Sequence, residues 1–215
     1  MSGLAKVTLA VLALSGCALT SMADPMEVRT FSPEMPRPAS MPRPAAASSP
    51  GAPDRPGVQV GVVSAASHLR KKIVYRASSV EVGEYDDLRW AELPETYVRR
   101  GVERALFGDA GLPETFTIET PVLDLEVLAF EEVRDGPRRA ARVTVSWELH
   151  DEAHALATRT VTIEERAKTA APQDVARAMG VALARCTSEV AKGVTEALAR
   201  APLSSRRRGA EGTAP

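Results

Sequence analysis

The sequence predicts an α+β fold: a two-layer sandwich in which one mostly antiparallel sheet is covered by two amphipathic helices, preceded by a Pro-rich tether. Three observations carry this. Residues 123–165 contain three stretches in which apolar and polar side chains alternate, the period of a strand with one buried face. Two other segments repeat apolar residues at spacings of three and four, which places them on one helix face. Eight of the 16 prolines fall between Pro33 and Pro56, where neither a helix nor a central strand can form.

In chain order, the folded domain is expected over residues 57–202. Val58, Val60 and Val62 alternate with Gln59 and Gly61 as a first strand, and Ile73–Tyr75, then Val80 and Val82, as one or two more extended pieces. Pro94 opens a helix with Glu95 beside it, since proline fits a first helical turn and an acid suits the positive end of the helix dipole. Tyr97, Val98, Val102, Ala105 and Leu106 form its apolar face, and Gly108 and Gly111 are its expected stop. Leu123, Leu125 and Val127 begin a meander. Asp135-Gly136 gives a turn, Val143, Val145, Trp147 and Leu149 a second strand, and Val161 and Ile163 a third. A long last helix opens at Pro172 and Asp174, with the stripe Val175, Met179, Leu183, Cys186, Val190, Val194 and Leu198. Residues 203–215 are expected to be a disordered tail.

The first residues read as an address. Lys6 precedes the apolar run Val7–Leu14, which is too short for a bilayer span of about 20 residues and suits a secretory signal. Leu14-Ser15-Gly16-Cys17 then resembles the bacterial lipobox. That resemblance implies cleavage after residue 16, acylation of Cys17, and, with Ala18 following, sorting to the outer membrane. Acyl chains anchor strongly because each buried CH₂ contributes about 0.8 kcal/mol. Residues 17–56 form the lipidated N-terminus and tether, with a reach from Ala18 to Pro56 of roughly 35 Å as a coil to about 120 Å extended.

Composition excludes several function classes. The 27 basic and 28 acidic residues leave a net charge of −1, unlike the positive excess of nucleic-acid binders. Aromatics are 4%, too few for a base-stacking platform. No Gly-rich phosphate loop and no Gly-x-Ser-x-Gly frame occurs around Ser64, Ser78 or Ser79. His150-Asp151-Glu152-Ala153-His154 has two histidines four apart, but Asp follows the first and the segment lies between strands, so a solvated turn is expected rather than a zinc site. His68 sits among Arg70, Lys71 and Lys72 as a surface residue, and Cys186 is a core thiol. No catalytic, cofactor-binding or metal residue is assigned. Arg206-Arg207-Arg208 reads as a flexible basic tail.

Ile73-Val74-Tyr75-Arg76, followed by Glu84-Tyr85-Asp86-Asp87-Leu88-Arg89-Trp90-Ala91-Glu92-Leu93-Pro94, resembles the ABC-type transport auxiliary lipoprotein family, which includes the PqiC-like lipoproteins. Members combine a lipobox, a "VYR" strand, a Tyr…Trp-Ala-Glu segment, a meander and a long final helix. They also keep an early strand, for which this chain offers Val28-Arg29-Thr30-Phe31. The resemblance implies a non-enzymatic outer-membrane lipoprotein, without cofactor, that docks an MCE-domain periplasmic protein of an ABC lipid transporter. A homo-oligomer would suit a partner of cyclic symmetry. Tyr85 and Trp90 have two readings: a partner-facing aromatic pair, or struts that pin the approach to the first helix onto the sheet. The alternative function is a regulator of peptidoglycan synthesis that reaches from the outer membrane on its tether.

Overall fold

The structure, a computed structural model, describes residues 26–36, 56–152 and 154–200. The signal segment, Cys17, most of the Pro-rich stretch and the Arg-rich tail lie outside them.

Seven strands and two helices follow in the order β1 (Arg29–Phe31), β2 (Gln59–Ala65), β3 (Lys72–Arg76), β4 (Val82–Trp90), α1 (Pro94–Glu103), β5 (Val122–Asp135), β6 (Arg138–His150), β7 (Ala155–Arg166) and α2 (Pro172–Arg200). The two-layer α+β class stands. The antiparallel part is the β5-β6-β7 meander, together with β3-β4. The other pairings are parallel: β1 with β4, β2 with β5, and β3 with β5. The sheet is therefore mixed, with most of its paired residues in antiparallel register as expected. The long strand β5 makes it mixed, because one of its edges takes β2 along Val122–Val127 and β3 along Glu131–Val133.

Both helices pack on one face. Leu123, Leu125, Val127 and Phe130 of β5 lie opposite Leu149, Trp147, Val145 and Val143 of β6, and all are buried with Val98, Val102, Met179, Leu183, Cys186, Val190 and Val194. A register shift between Val127 and Ala129 keeps Phe130 on that face. The other face carries hydroxyls, with Thr144 and Thr162 at 3.1 Å and Thr160 and Ser146 at 3.4 Å. Helix α1 does not stop at Gly108. It widens into a π-helical turn, Arg104–Asp109, in which the Ala110 amide donates to the Ala105 carbonyl, and it closes at Gly111, whose φ is +64°.

Residues 26–36 correct the expected tether. Strand β1 pairs Arg29 with Leu88 and Phe31 with Trp90, and the Ala91 amide donates to the Phe31 carbonyl at 2.8 Å. Beyond Phe31 the chain crosses the helix layer. Pro33 is buried, and Glu34 passes so close to α2 that a Cβ on Gly180 would stand 2.1 Å from the Glu34 carbonyl oxygen. Met35 sulfur would stand 3.2 Å from a Cβ on Gly101 of α1. The folded unit thus begins ahead of the Pro-rich stretch, not after it. The family resemblance points to Val28–Phe31, but three strand residues close to a run of prolines carry no readable period of their own.

Candidate functional site

The aromatic pair singled out from the sequence divides on burial. Trp90 ends β4 with 1% exposure and packs edge-on against Phe130, ring centres 5.3 Å apart. It presents nothing to a partner, so the partner-facing reading fails for it. Tyr85 lies half-buried on β4, not in a loop approaching α1. Its hydroxyl donates to Glu132 Oε2 at 2.8 Å, and Tyr75 meets its ring edge-on at 5.2 Å. Burial, reinforced by the hydrogen bond to Glu132, pushes its pKa up.

Tyr85 belongs to a charged network built on two adjacent buried acids of β5. Successive strand residues point to opposite faces, so Glu131 and Glu132 organise the two sides of the sheet separately. Glu131 accepts from Arg76 Nε at 2.7 Å and Arg142 Nη1 at 3.3 Å. Glu132 is bound by Arg139 Nε at 2.9 Å and Arg134 Nε at 3.2 Å, besides Tyr85. The Arg134 guanidinium stacks 3.4 Å over the Tyr75 ring. Burial opposes the charge of Arg134, but Tyr85 and Glu132 outweigh it and raise its pKa. Both carboxylates are fully engaged, which is what keeps buried charge tolerable. The network locks β3, β4, β5 and β6 together at the end of the sheet carrying the β3–β4 and β5–β6 turns.

The opposite end is different. Between α1 and β5 the chain forms a loop in which Phe116 is 71% and Ile118 79% exposed. Such side chains are normally withdrawn from water, yet this loop is held firmly. At its feet the Val58 amide donates to the Pro113 carbonyl at 3.1 Å and the Gln59 amide to the Pro121 carbonyl at 3.0 Å. Inside it, the Thr120 amide donates to the Thr117 carbonyl at 3.0 Å. The Thr120 hydroxyl accepts from the Thr117 amide at 3.1 Å, pairs with the Thr117 hydroxyl at 2.8 Å and donates to the Thr115 hydroxyl at 3.1 Å. Three threonines therefore staple the turn that carries Ile118. Val62, on the neighbouring strand β2, is 66% exposed, and its amide donates to Asp124 Oδ1 at 2.6 Å.

This end is also acidic. The segments around the loop (Gly57–Ser64, Glu114–Glu126 and Glu148–Ala155) contain Glu114, Glu119, Asp124, Glu126, Glu148, Asp151 and Glu152 but no Lys or Arg, while Arg159 of β7 and Arg200 of α2, which reach the same end, both pair with Glu196. Arg99 of α1 reaches β2, where it donates to the Gly61 carbonyl at 2.6 Å, and it also pairs with Glu103 at 3.5 Å. His150 Nε2 lies 3.3 Å from Asp124 Oδ2. Burial works against its charge, but the Asp151 carbonyl, Asp124 and Glu148 outweigh it, and its pKa rises. His154 is exposed in the β6–β7 turn, where its amide donates to Asp151 Oδ1 at 2.8 Å. Among the described residues no group of three or more His, Cys, Asp or Glu could hold a metal.

The other sequence candidates fall into structural roles. Cys186 is buried on α2, and burial pushes its thiol up to about 12. Ser78 accepts from the Glu81 amide at 3.1 Å to close the β3–β4 turn, Ser64 donates to the Leu125 carbonyl at 3.5 Å, and Ser79 and His68 are exposed. Sequence reasoning did not single out Phe116 or Ile118. Their alternation with Thr115 and Thr117 mimics a half-buried strand, and only the placement of the loop shows them open to solvent. No helix among the described residues is long and apolar enough to cross a membrane.

Comparison with solved structures places the fold. A Xanthomonas campestris protein described by the family model DUF330 shares 22% identity, covering 79% of this chain and 96% of its own, with a TM-score of 0.63. A second solved structure, of an uncharacterized protein, shares 14% identity over 78% of this chain and 99% of its own, with a TM-score of 0.57. At these identities the likeness concerns the fold alone. No curated protein matches the chain. The model for the ABC-type transport auxiliary lipoprotein component matches residues 40–191, a span that runs from before β2 into α2. The chain belongs to the ABC-type transport auxiliary lipoprotein component family.

Proposed function

We propose that this protein is a non-enzymatic outer-membrane lipoprotein, acylated at Cys17, that docks the MCE-domain periplasmic protein of an ABC-type lipid transporter. The family match over residues 40–191 carries the reading, since that family is an auxiliary transport component and not an enzyme class. The position of β1 supports it. Strand β1 runs parallel to β4 and so enters the sheet from the end where the β3–β4 and β5–β6 turns lie. Only eight residues, Ala18 to Pro25, separate the acylated cysteine from the described domain, a reach of at most about 30 Å. The chain direction at β1 therefore turns that end of the sheet toward the bilayer.

The alternative regulator of peptidoglycan synthesis drew its support from a long tether ahead of the domain. With β1 in the sheet, the Pro-rich stretch connects β1 to β2 and adds no reach between anchor and domain. The proposal is tested by acyl labelling of the wild-type chain against Cys17→Ala, followed by pull-down assayed for an MCE-domain periplasmic protein. Labelling lost in Cys17→Ala and recovery of the MCE protein are expected. An unlabelled wild-type chain, or stimulation of a peptidoglycan synthase without MCE binding, would overturn it.

A further inference from the structure

We infer that the end of the sheet bearing Phe116, Ile118 and Val62 is the docking surface, and that its partner presents an apolar pocket bordered by Lys and Arg. The inference rests on the docking role proposed above and assigns it to a place and a chemistry. Three independent features converge there.

The first is pre-organised apolar exposure. Phe116 and Ile118 stand out from a turn closed by Thr115, Thr117 and Thr120, so burying them against a partner freezes little that is not already fixed. The described core does not include these two side chains, whereas Leu112 and Thr120 on either side are buried.

The second is charge. The net charge of −1 hides an uneven distribution. Arg76, Arg134, Arg139 and Arg142 gather at the other end, where Glu131, Glu132 and Glu164 pair with them. The segments around the loop supply acids and neither Lys nor Arg, and the arginines that reach this end are engaged, Arg99 by the Gly61 carbonyl and Glu103 and both Arg159 and Arg200 by Glu196. Such a rim steers a basic surface toward the apolar tip and sets its orientation. It also repels an anionic bilayer, which separates a protein partner from a membrane as occupant.

The third is position. Phe116 and Ile118 precede Val122, where β5 begins, and β1 enters from the end where β5 finishes. With 14 residues in β5, the two ends lie about 45 Å apart along the strand. An anchor at the β1 end leaves the apolar tip facing away from the bilayer.

The test uses the full-length lipoprotein in detergent and, as probe, the purified MCE-domain extracytoplasmic protein of an ABC transporter from the same organism. Phe116→Ser/Ile118→Ser should weaken binding about 100-fold. Glu114→Lys/Glu119→Lys keeps the apolar tip and should weaken binding about tenfold at low salt while flattening its salt dependence. Unchanged circular dichroism and thermal midpoints show that either variant is folded. A photo-crosslinker replacing Phe116 should join that protein in cells, and one replacing Val80, on the β3–β4 turn, should not. Wild-type binding that both double variants retain, or cross-linking through position 80, overturns the assignment and leaves the docking role intact. Absence of wild-type binding overturns the docking role and this inference with it. Cross-linking of position 116 to phospholipid makes the loop a membrane contact and refutes the inference alone.

Discussion

Gly180→Ala sets two known effects against each other, and the structure decides the sign. Position 180 lies inside α2, where alanine is favoured over glycine by about 0.8–1.0 kcal/mol. On an unencumbered helix the substitution would stabilise. Here the new Cβ would stand 2.1 Å from the Glu34 carbonyl oxygen and 2.7 Å from its carbon, roughly 1 Å inside ordinary contact. The obstacle is backbone, and it cannot swing aside as a flexible side chain would. Either Glu34 shifts, loosening Pro33 and Met35 from the helices, or α2 lifts from the sheet. Overpacking of this kind costs about 1–3 kcal/mol, so the net expectation is a loss of about 1 kcal/mol, concentrated in the strap and β1. Urea denaturation measures the total and hydrogen exchange locates it. The Ala91 amide, which donates to the Phe31 carbonyl, should lose protection ahead of the meander amides. A variant stabilised by about 1 kcal/mol, with Ala91 as protected as before, would refute the claim that residues 32–36 are seated on α2.

Four further outcomes are expected. Glu131→Ala strands Arg76 and Arg142 and should cost about 2–4 kcal/mol in urea denaturation, toward the low side of a broken buried pair because both arginines reach solvent; a loss under about 0.5 kcal/mol would show the network idle. Cys186, with its thiol pushed up to about 12, should resist iodoacetamide at pH 8 in the native chain and react in urea; rapid native labelling would contradict its burial. His150 has a raised folded pKa, so its stabilising contribution is complete below the unfolded value near 6.5 and is lost as pH rises through the folded value. The urea midpoints of wild type and His150→Gln should therefore differ at pH 5.5 and converge at pH 9; a constant gap would exclude the Asp124 pairing as cause. Asp174 has a lowered pKa through Thr169 and Arg177, so its contribution is present above the unfolded carboxylate value near 3.9 and disappears as pH falls through the folded one. Asp174→Asn should thus lower the thermal midpoint at pH 7 and match wild type at pH 2.

What could be read from the sequence was local and periodic. Val143, Val145, Trp147 and Leu149 announce a strand because their period is set by the residues themselves, and the α2 stripe does the same for a helix. The parallel pairings could not be read, because the contact of Tyr75 with Glu132 across β3 and β5 depends on register between segments far apart in the chain. Strand β4 escaped in part because Glu84, Asp86, Asp87 and Arg89 make it look solvated, and an irregular register with β3 breaks its alternation. Glu131 and Glu132 look like loop residues in the sequence; only the arginines brought to them by the assembled sheet make them core. The docking end was illegible for the opposite reason. Phe116 and Ile118 look like core, and only the assembled sheet shows them left open to solvent.

The central claim is a polarity: the β1 end of the sheet faces the membrane and the Phe116–Ile118 loop faces away from it. Energy transfer from a donor dye to acceptor lipids in vesicles carrying the acylated chain tests this directly. With the acyl chain proposed for Cys17 in place and Cys186 buried, an introduced surface thiol takes the dye selectively. A donor attached through Ser79→Cys, in the β3–β4 turn, should be strongly quenched. A donor attached through Glu119→Cys, in the loop between α1 and β5, should be weakly quenched, as befits about 45 Å of added distance. Equal quenching at both sites, or stronger quenching in the loop, would contradict the account.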